Sequence, residues 1–312
     1  MKRLNARKVR INVAGWLFIA PLVVYFIVFQ LTPMVMALVY SFTDWNMRSD
    51  PSWVGLLNYK NLLLNTDNLY PHFWPSLWVT TKYMLMSIPA SVVLAVVVAA
   101  MLNSKIKGER FFKTAFYVPS VTVSVAIAAM WTFMLDPMYG MINQLLGTNI
   151  DFLGQTSTAL PTLALMSVWG GLGYNVLIVL SAMKNIDASL YEAAEMDGAG
   201  FGRRFISVTV PSILPTIFFI VITSVIGGFQ AFDQMFLMTG GGPQYSTYTY
   251  LLGLYNEAFG GAYRIGIACA MSYILFIIIL IITFIQFKVL PQDLTGESKK
   301  GGKKHDKHKA RQ

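Results

Sequence analysis

The chain has 312 residues, 55% of them hydrophobic and only 12% charged. A soluble domain carries roughly twice that share of charge, so most of this chain is built to sit in lipid. One cysteine, Cys269, excludes an internal disulfide and a cysteine-based metal cluster, and the net charge of +9 says nothing about nucleic acid until its bases are placed along the membrane.

Six apolar segments approach or exceed the roughly 20 residues that a spanning helix needs. They run over about 13–40, 76–102, 111–135, 157–183, 206–236 and 265–290. They predict an all-α, polytopic membrane protein: a segment 1–12, a six-helix transmembrane domain over 13–290, and a tail 291–312. The first segment follows Lys2, Arg3, Arg7, Lys8 and Arg10, as a secretion signal would. Its apolar run is too long for one and no small-residue cleavage site closes it, so it is expected to stay.

The loop 41–75 carries Trp45, Trp53, Tyr59, Tyr70 and Trp74. These fit either an interfacial aromatic belt or a docking surface for an extracytoplasmic protein. Lys82, near the outer end of the second segment, is expected to reach the headgroups. Segment four carries Ser167, Gly170, Gly171 and Tyr174 on one face, with Trp169 and Asn175 alongside.

Between segments four and five lies the longest polar interruption of the C-terminal half, Tyr191–Pro211, with Glu192, Glu195, Asp197, Arg203 and Arg204. Glycines at 198, 200 and 202 are expected to break it into two short helical pieces. Such a stretch cannot sit in lipid and must project into water or onto a partner. Ser189 and Glu192 fit a capping box; Asp187 could cap the helix instead, which would free Glu192.

Segment five places Thr223, Gly227, Gln230 and Gln234 at intervals of four, three and four, hence on one face, with Asp233 beside them and Phe229 adjoining. Polar groups within a span either face a cavity or join neighbouring helices, and both readings are open for these two faces. Such amides and acids, together with flat apolar rings, would suit a solute rich in hydroxyls. The Gly- and Lys-rich tail, with His305 and His308, is too polar to bury a core and is expected to be solvated rather than metal-binding.

The bases orient the chain. With both ends and the second and fourth loops inside, all but Arg48, Lys60, Lys82 and Arg264 lie on the cytoplasmic side. The expectation is N-in and C-in, with the Glu192 loop facing the ATP pool. No Gly-x4-Gly-Lys-Ser/Thr run occurs; Gly296–Lys303 has the wrong spacing and no hydroxyl residue after the lysine, so any ATP must be used by other chains.

Glu192-Ala193-Ala194, three residues, Gly198, nine residues, then Val208-Thr209-Val210-Pro211 resembles the loop motif of membrane-spanning subunits of binding-protein-dependent ABC importers. The family has Ile-x-Leu-Pro where this chain has Val-Thr-Val-Pro, which keeps the positions apolar. Ser41-Phe42-Thr43-Asp44-Trp45, Gly55-Leu56-Leu57-Asn58-Tyr59 and Thr239-Gly240-Gly241-Gly242-Pro243 are similar to marks of its carbohydrate-uptake subgroup, which includes maltose permease subunits. Together these motifs span most of residues 15–290.

The resemblance implies a permease, not an enzyme, holding no cofactor of its own. It implies two ATPase subunits that bind ATP and magnesium, a second permease that is a copy or a sister chain, an extracytoplasmic solute-binding protein and a sugar cargo. It assigns the coupling loop 184–205 to the ATPase contact, through Glu192, Ala193, Ala194, Asp197 and Gly198. By region it puts cargo contacts at Trp169, Gly171, Tyr174, Asn175, Phe229, Gln230, Asp233 and Gln234. Rival readings are an importer of another solute such as glycerol phosphate, an ion-coupled transporter, and an intramembrane enzyme. The first would want bases on the two faces; the second, ionisable groups mid-span, where only Lys82 and Asp233 are candidates. The third would want clustered His, Asp or Cys.

Overall fold

A computed structural model describes residues 15–64, 69–104, 107–261 and 263–289. The predicted segment 1–12 and the tail 291–312 lie outside the described residues. Among these, every regular element is a helix, and the one extended pairing is an isolated bridge, Thr43 with Trp53. In chain order the helices are α1 Gly15–Tyr40, α2 Leu57–Leu64, α3 Phe73–Asn103, α4 Glu109–Val121, α5 Ser124–Met134 and α6 Met141–Leu146. Then follow α7 Ala159–Lys184, α8 Ala188–Met196, α9 Phe201–Phe229, α10 Tyr250–Phe259 and α11 Ile265–Val289.

Helices α1, α3, α7, α9 and α11 are each long and apolar enough to cross a membrane. The predicted third span is not one rod: α4 and α5 meet at a bend of 103°. Pro119 removes a donor in the last turn of α4, and Thr122 and Val123 take extended backbone, ψ 140° and 133°, before α5 restarts. The predicted fifth span also ends early. α9 stops at Phe229, and a separate π-helical turn, Met235–Thr239, follows the break.

The described residues form two compact units, one of those up to 73 with 253–277, the other of 74–252 with those from 278 on. In the first, no α1 side chain is buried. The loop after it folds on itself. Asn58 Nδ2 donates to the carbonyls of Ser41 and Thr43 at 2.8 Å each, and Tyr59 Oη donates to Ser41 Oγ at 2.7 Å. Phe42 stacks on Trp53 at 5.4 Å, and a Cβ on Gly266 of α11 would stand 2.0 Å from the Thr43 carbonyl. Two of the sequence motifs thus clasp each other.

In the second unit the core joins α3, α7 and α9. Ala95, Ala99 and Leu102 meet Leu172, Val176, Val179, Leu180 and Met183, together with Ile213 and Ile220. Small residues four apart on α3 let backbones approach, which in lipid, where apolar burial drives little, is the main source of attraction. Gly173 carries this furthest: a Cβ there would lie 2.1 Å from the Phe116 carbonyl of α4. The Thr239–Pro243 motif forms a tight turn, with Gly240 and Gly241 at φ +59° and +92°, closed by buried Thr247, whose hydroxyl bonds both Thr239 Oγ1 and the Gly242 carbonyl at 2.7 Å.

Candidate functional site

Two places in the second unit gather the predicted residues. The first is the elbow made by α8 and the start of α9. Asp187 caps α8, its carboxylate accepting the Ser189 amide at 2.9 Å. That bond holds the Asp187 carboxyl below its usual range. Of the two capping schemes the sequence allows, the chain uses this one. Glu192 is exposed and, among the described residues, its carboxylate has neither hydrogen bond nor ion pair.

The C-terminal end of α8 closes with paired bonds, Gly198 N–H to the Glu195 carbonyl and Ala199 N–H to the Ala194 carbonyl, both 2.9 Å. This closure needs a left-handed residue, and Gly198 supplies it at φ +76°. The other two glycines act differently from the expectation: Gly200 precedes α9 with φ −70°, and Gly202 lies inside it. Ala193 is exposed beside Glu192, Ala194 is half-buried and Asp197 is exposed. Two large apolar side chains also project here, Met196 at 88% and Phe201 at 72% exposure.

The second place is a cavity of about 180 Å³ between α3, α7 and α9, lined among others by Tyr83, Ser87, Ser91, Gly171, Asn175 and Ser224. Its polar groups are tied across helices. Tyr83 and Ser167 share a bond of 2.5 Å, Ser167 donates to Gln234 Oε1 at 2.6 Å, and Asn175 Nδ2 donates to Ser91 Oγ at 2.9 Å. Joining and lining are therefore not alternatives here: Ser167 and Asn175 do both. Gly171 and Gly227 also line it, and a Cβ on either would meet nothing within 4 Å. These glycines hold space open, whereas Gly173 and Gly228 are the ones that permit contact, the latter against Met84.

Of the predicted pathway residues, Gly171 and Asn175 line the cavity and Gln234 is bonded to its Ser167. Trp169 stands edge-on to Trp131 at 5.5 Å, and Tyr174 is 54% exposed away from it. Phe229 is buried and lines a different, apolar groove with Met84 and Pro89. The break after α9 undoes the single-face reading of Gln230 and Gln234. Gln230 is the exposed helix end, and Asp233 lies beyond it, accepting from Ser124 Oγ at 2.6 Å. Sequence reasoning missed Tyr83, Ser87 and Ser91. Their interval of four along an apolar span was the available signal.

Among the described residues no three His, Cys, Asp or Glu side chains group to hold a metal ion. The volume is below the roughly 300–1,000 Å³ of ordinary ligand pockets.

Comparison with known proteins places this geometry. Residues 83–292 match the family described as "Binding-protein-dependent transport system inner membrane component". The chain is 36% identical over 296 residues to the "Probable ABC transporter permease protein YesP" of Bacillus subtilis (strain 168), covering 92% of this chain and 94% of that protein. It is 33% identical over 286 residues to the "Lactose transport system permease protein LacF" of Rhizobium radiobacter, covering 88% and 93% respectively. Among solved structures, a chain of the bacterial alginate ABC transporter in complex with its alginate-pentasaccharide-bound periplasmic protein aligns with TM-score 0.77 at 19% identity, over 93% of this chain and 98% of that one. That likeness is one of fold.

Proposed function

Because the chain belongs to the family of binding-protein-dependent transport system inner membrane components, and is a multi-pass cell-membrane protein, we propose that it is the permease of an ATP-driven importer of a sugar or oligosaccharide. Relatives named for lactose, for multiple sugars and for arabinooligosaccharides support the cargo class. So does the lining of the cavity, whose polar groups are hydroxyls and an amide, with glycines and two aliphatic side chains and no base to hold a phosphate. In this reading both termini face the cytoplasm, an orientation that the distribution of Lys and Arg supports. An extracytoplasmic binding protein delivers the cargo, and a second permease completes the path. Two ATPase subunits, which bind ATP and magnesium, seat the α8 elbows; this chain performs no chemistry itself.

One observation supports the coupling role: a short helix presents a carboxylate, Glu192, unpaired among the described residues, with exposed Ala193 and Met196 beside it. A bare carboxylate beside a projecting thioether matches a groove with a basic group and an apolar floor. ATP binding closes the ATPases, α8 is carried with them, and α7 and α9 tilt to widen the cavity outward. Hydrolysis returns it. Asn175, Ser91 and Tyr83 give the cargo several weak hydrogen bonds, each about 0.5–1.5 kcal/mol, which lets it leave again. Asp233 and Gln230 lie at the break of α9 and meet cargo at the entrance.

The test is Glu192→Lys in the complete transporter. Uptake of radiolabelled sugar should fall more than tenfold while the amount of protein in the membrane is unchanged. Undiminished uptake would remove the elbow from the mechanism.

A further inference from the structure

No residue of α8 is fully buried, so little packing holds this helix to the bundle. Two polar links do. Tyr191 and Thr209 share a hydroxyl–hydroxyl bond of 2.8 Å, and Arg204 Nη1 donates to Glu195 Oε2 at 2.8 Å. Tyr191 and Glu195 are four apart and share one face of α8, with Ala193 on the opposite side. Thr209, by contrast, is only 5% exposed and sits within the spanning helix α9.

The partners on α9 are five residues apart, a spacing that an ordinary α-helix would turn about 140° away from each other. The π-helical turn Phe205–Thr209 lies between them, closed by the Val210 N–H to the Phe205 carbonyl. Its wider winding brings Arg204 and Thr209 towards the same neighbour. Behind the two links lies a cavity of about 290 Å³, lined by Asn103, Ser104, Met183 and Phe205 as well as by Tyr191, Arg204 and Thr209. The links therefore bridge open space instead of supplementing a packed contact.

We propose that Tyr191 and Arg204 are positioning residues: through Thr209 and Glu195 they carry the displacement of α8 into α9. This rests on α8 being the ATPase-docking helix. A load applied at the Glu192 face reaches the spanning helix through two short, directional bonds. Without them α8 would swing on Asp187 and Gly198 while α9 stayed still. Of the two, the Tyr191–Thr209 bond matters more, because its Thr209 end is shielded from water, whereas Glu195 is 69% exposed.

The test uses the complete transporter in vesicles, with Cys269→Ser and Thr223→Cys in this chain. MgATP is the only added ligand, and two readouts are taken: phosphate released, and the change that MgATP causes in maleimide labelling at position 223. Tyr191→Phe, which keeps the ring, should leave hydrolysis within about twofold and shrink the labelling change about three- to tenfold. Thr209→Val should do the same, the double variant no more, and Thr209→Ser should behave as the parent.

A full labelling change in Tyr191→Phe overturns the inference, as do losses that add in the double variant. A parallel fall in hydrolysis and labelling marks a merely structural role and overturns it too. Glu192→Lys serves as the reference. If it abolishes the labelling change and Tyr191→Phe does not, only the linkage fails; if neither has an effect, the docking role of α8 fails with it.

Discussion

The elbow and the mid-bundle cavity are both polar breaks in an apolar chain, yet they satisfy their polar groups in opposite ways. In the cavity the hydroxyls and amides of Tyr83, Ser91, Ser167, Asn175 and Gln234 bond to one another across helices. In the elbow Glu192 has no partner among the described residues, and Met196 and Phe201 stand in water. A membrane interior forces internal pairing, since an unpaired group there has no water to turn to. A surface element can keep its groups free for another molecule. The contrast separates a region whose polar groups this chain satisfies itself from one whose groups stay exposed, as the proposed docking role would need.

Substitutions that touch only one region would sharpen the contrast, and cross-effects would break it. The largest effect is expected at Gly173. Valine there collides with backbone at Phe116, at a cost on the order of 3 kcal/mol, and the protein should fall to a minor fraction of its parental level in membrane immunoblots. Gly171→Leu should be the reverse case. A Cβ there meets nothing within 4 Å and the rest of the side chain enters the cavity, so protein level should hold, while the filled cavity lowers sugar uptake about tenfold or more.

Asn175→Ala removes a bond to Ser91 and should slow uptake by about two- to tenfold, with thermal stability in detergent slightly reduced. The smallest effect belongs to the elbow. Asp187→Ala should speed amide exchange in the first turn of α8 about fivefold and leave the cavity residues unchanged. Because the Asp187 carboxyl is held below its usual 3.8, its cap is fully present above that pH and is lost as pH falls through the lowered value. Asp187→Asn should keep the cap and flatten this dependence.

Much of this was legible in the sequence. Run length and composition give the spanning helices, and a polar stretch between apolar runs gives the elbow, because these depend on transfer between water and lipid and on little else. Asp187 and Gly198 were readable as helix ends for the same local reason. The breaks were not. α9 ends at Phe229 although apolar and polar residues continue the helical spacing beyond it, so Gln230 and Gln234 were placed on a face that does not exist. The glycines were ambiguous as well: Gly171 opens space and Gly173, two residues on, closes it, a difference fixed by which neighbour each faces. The pairing of Tyr191 with Thr209 depends on a π-helical turn that no residue pattern announces.

The approach of Gly173 to Phe116 has a mechanical result. With backbone against backbone, α4 and α7 have no cushion of side chains to deform, so one cannot slide or roll past the other without lifting off. They tilt as a single stiff plank. That plank ends where α4 gives way to α5, and the 103° corner there is the natural place for its motion to be taken up.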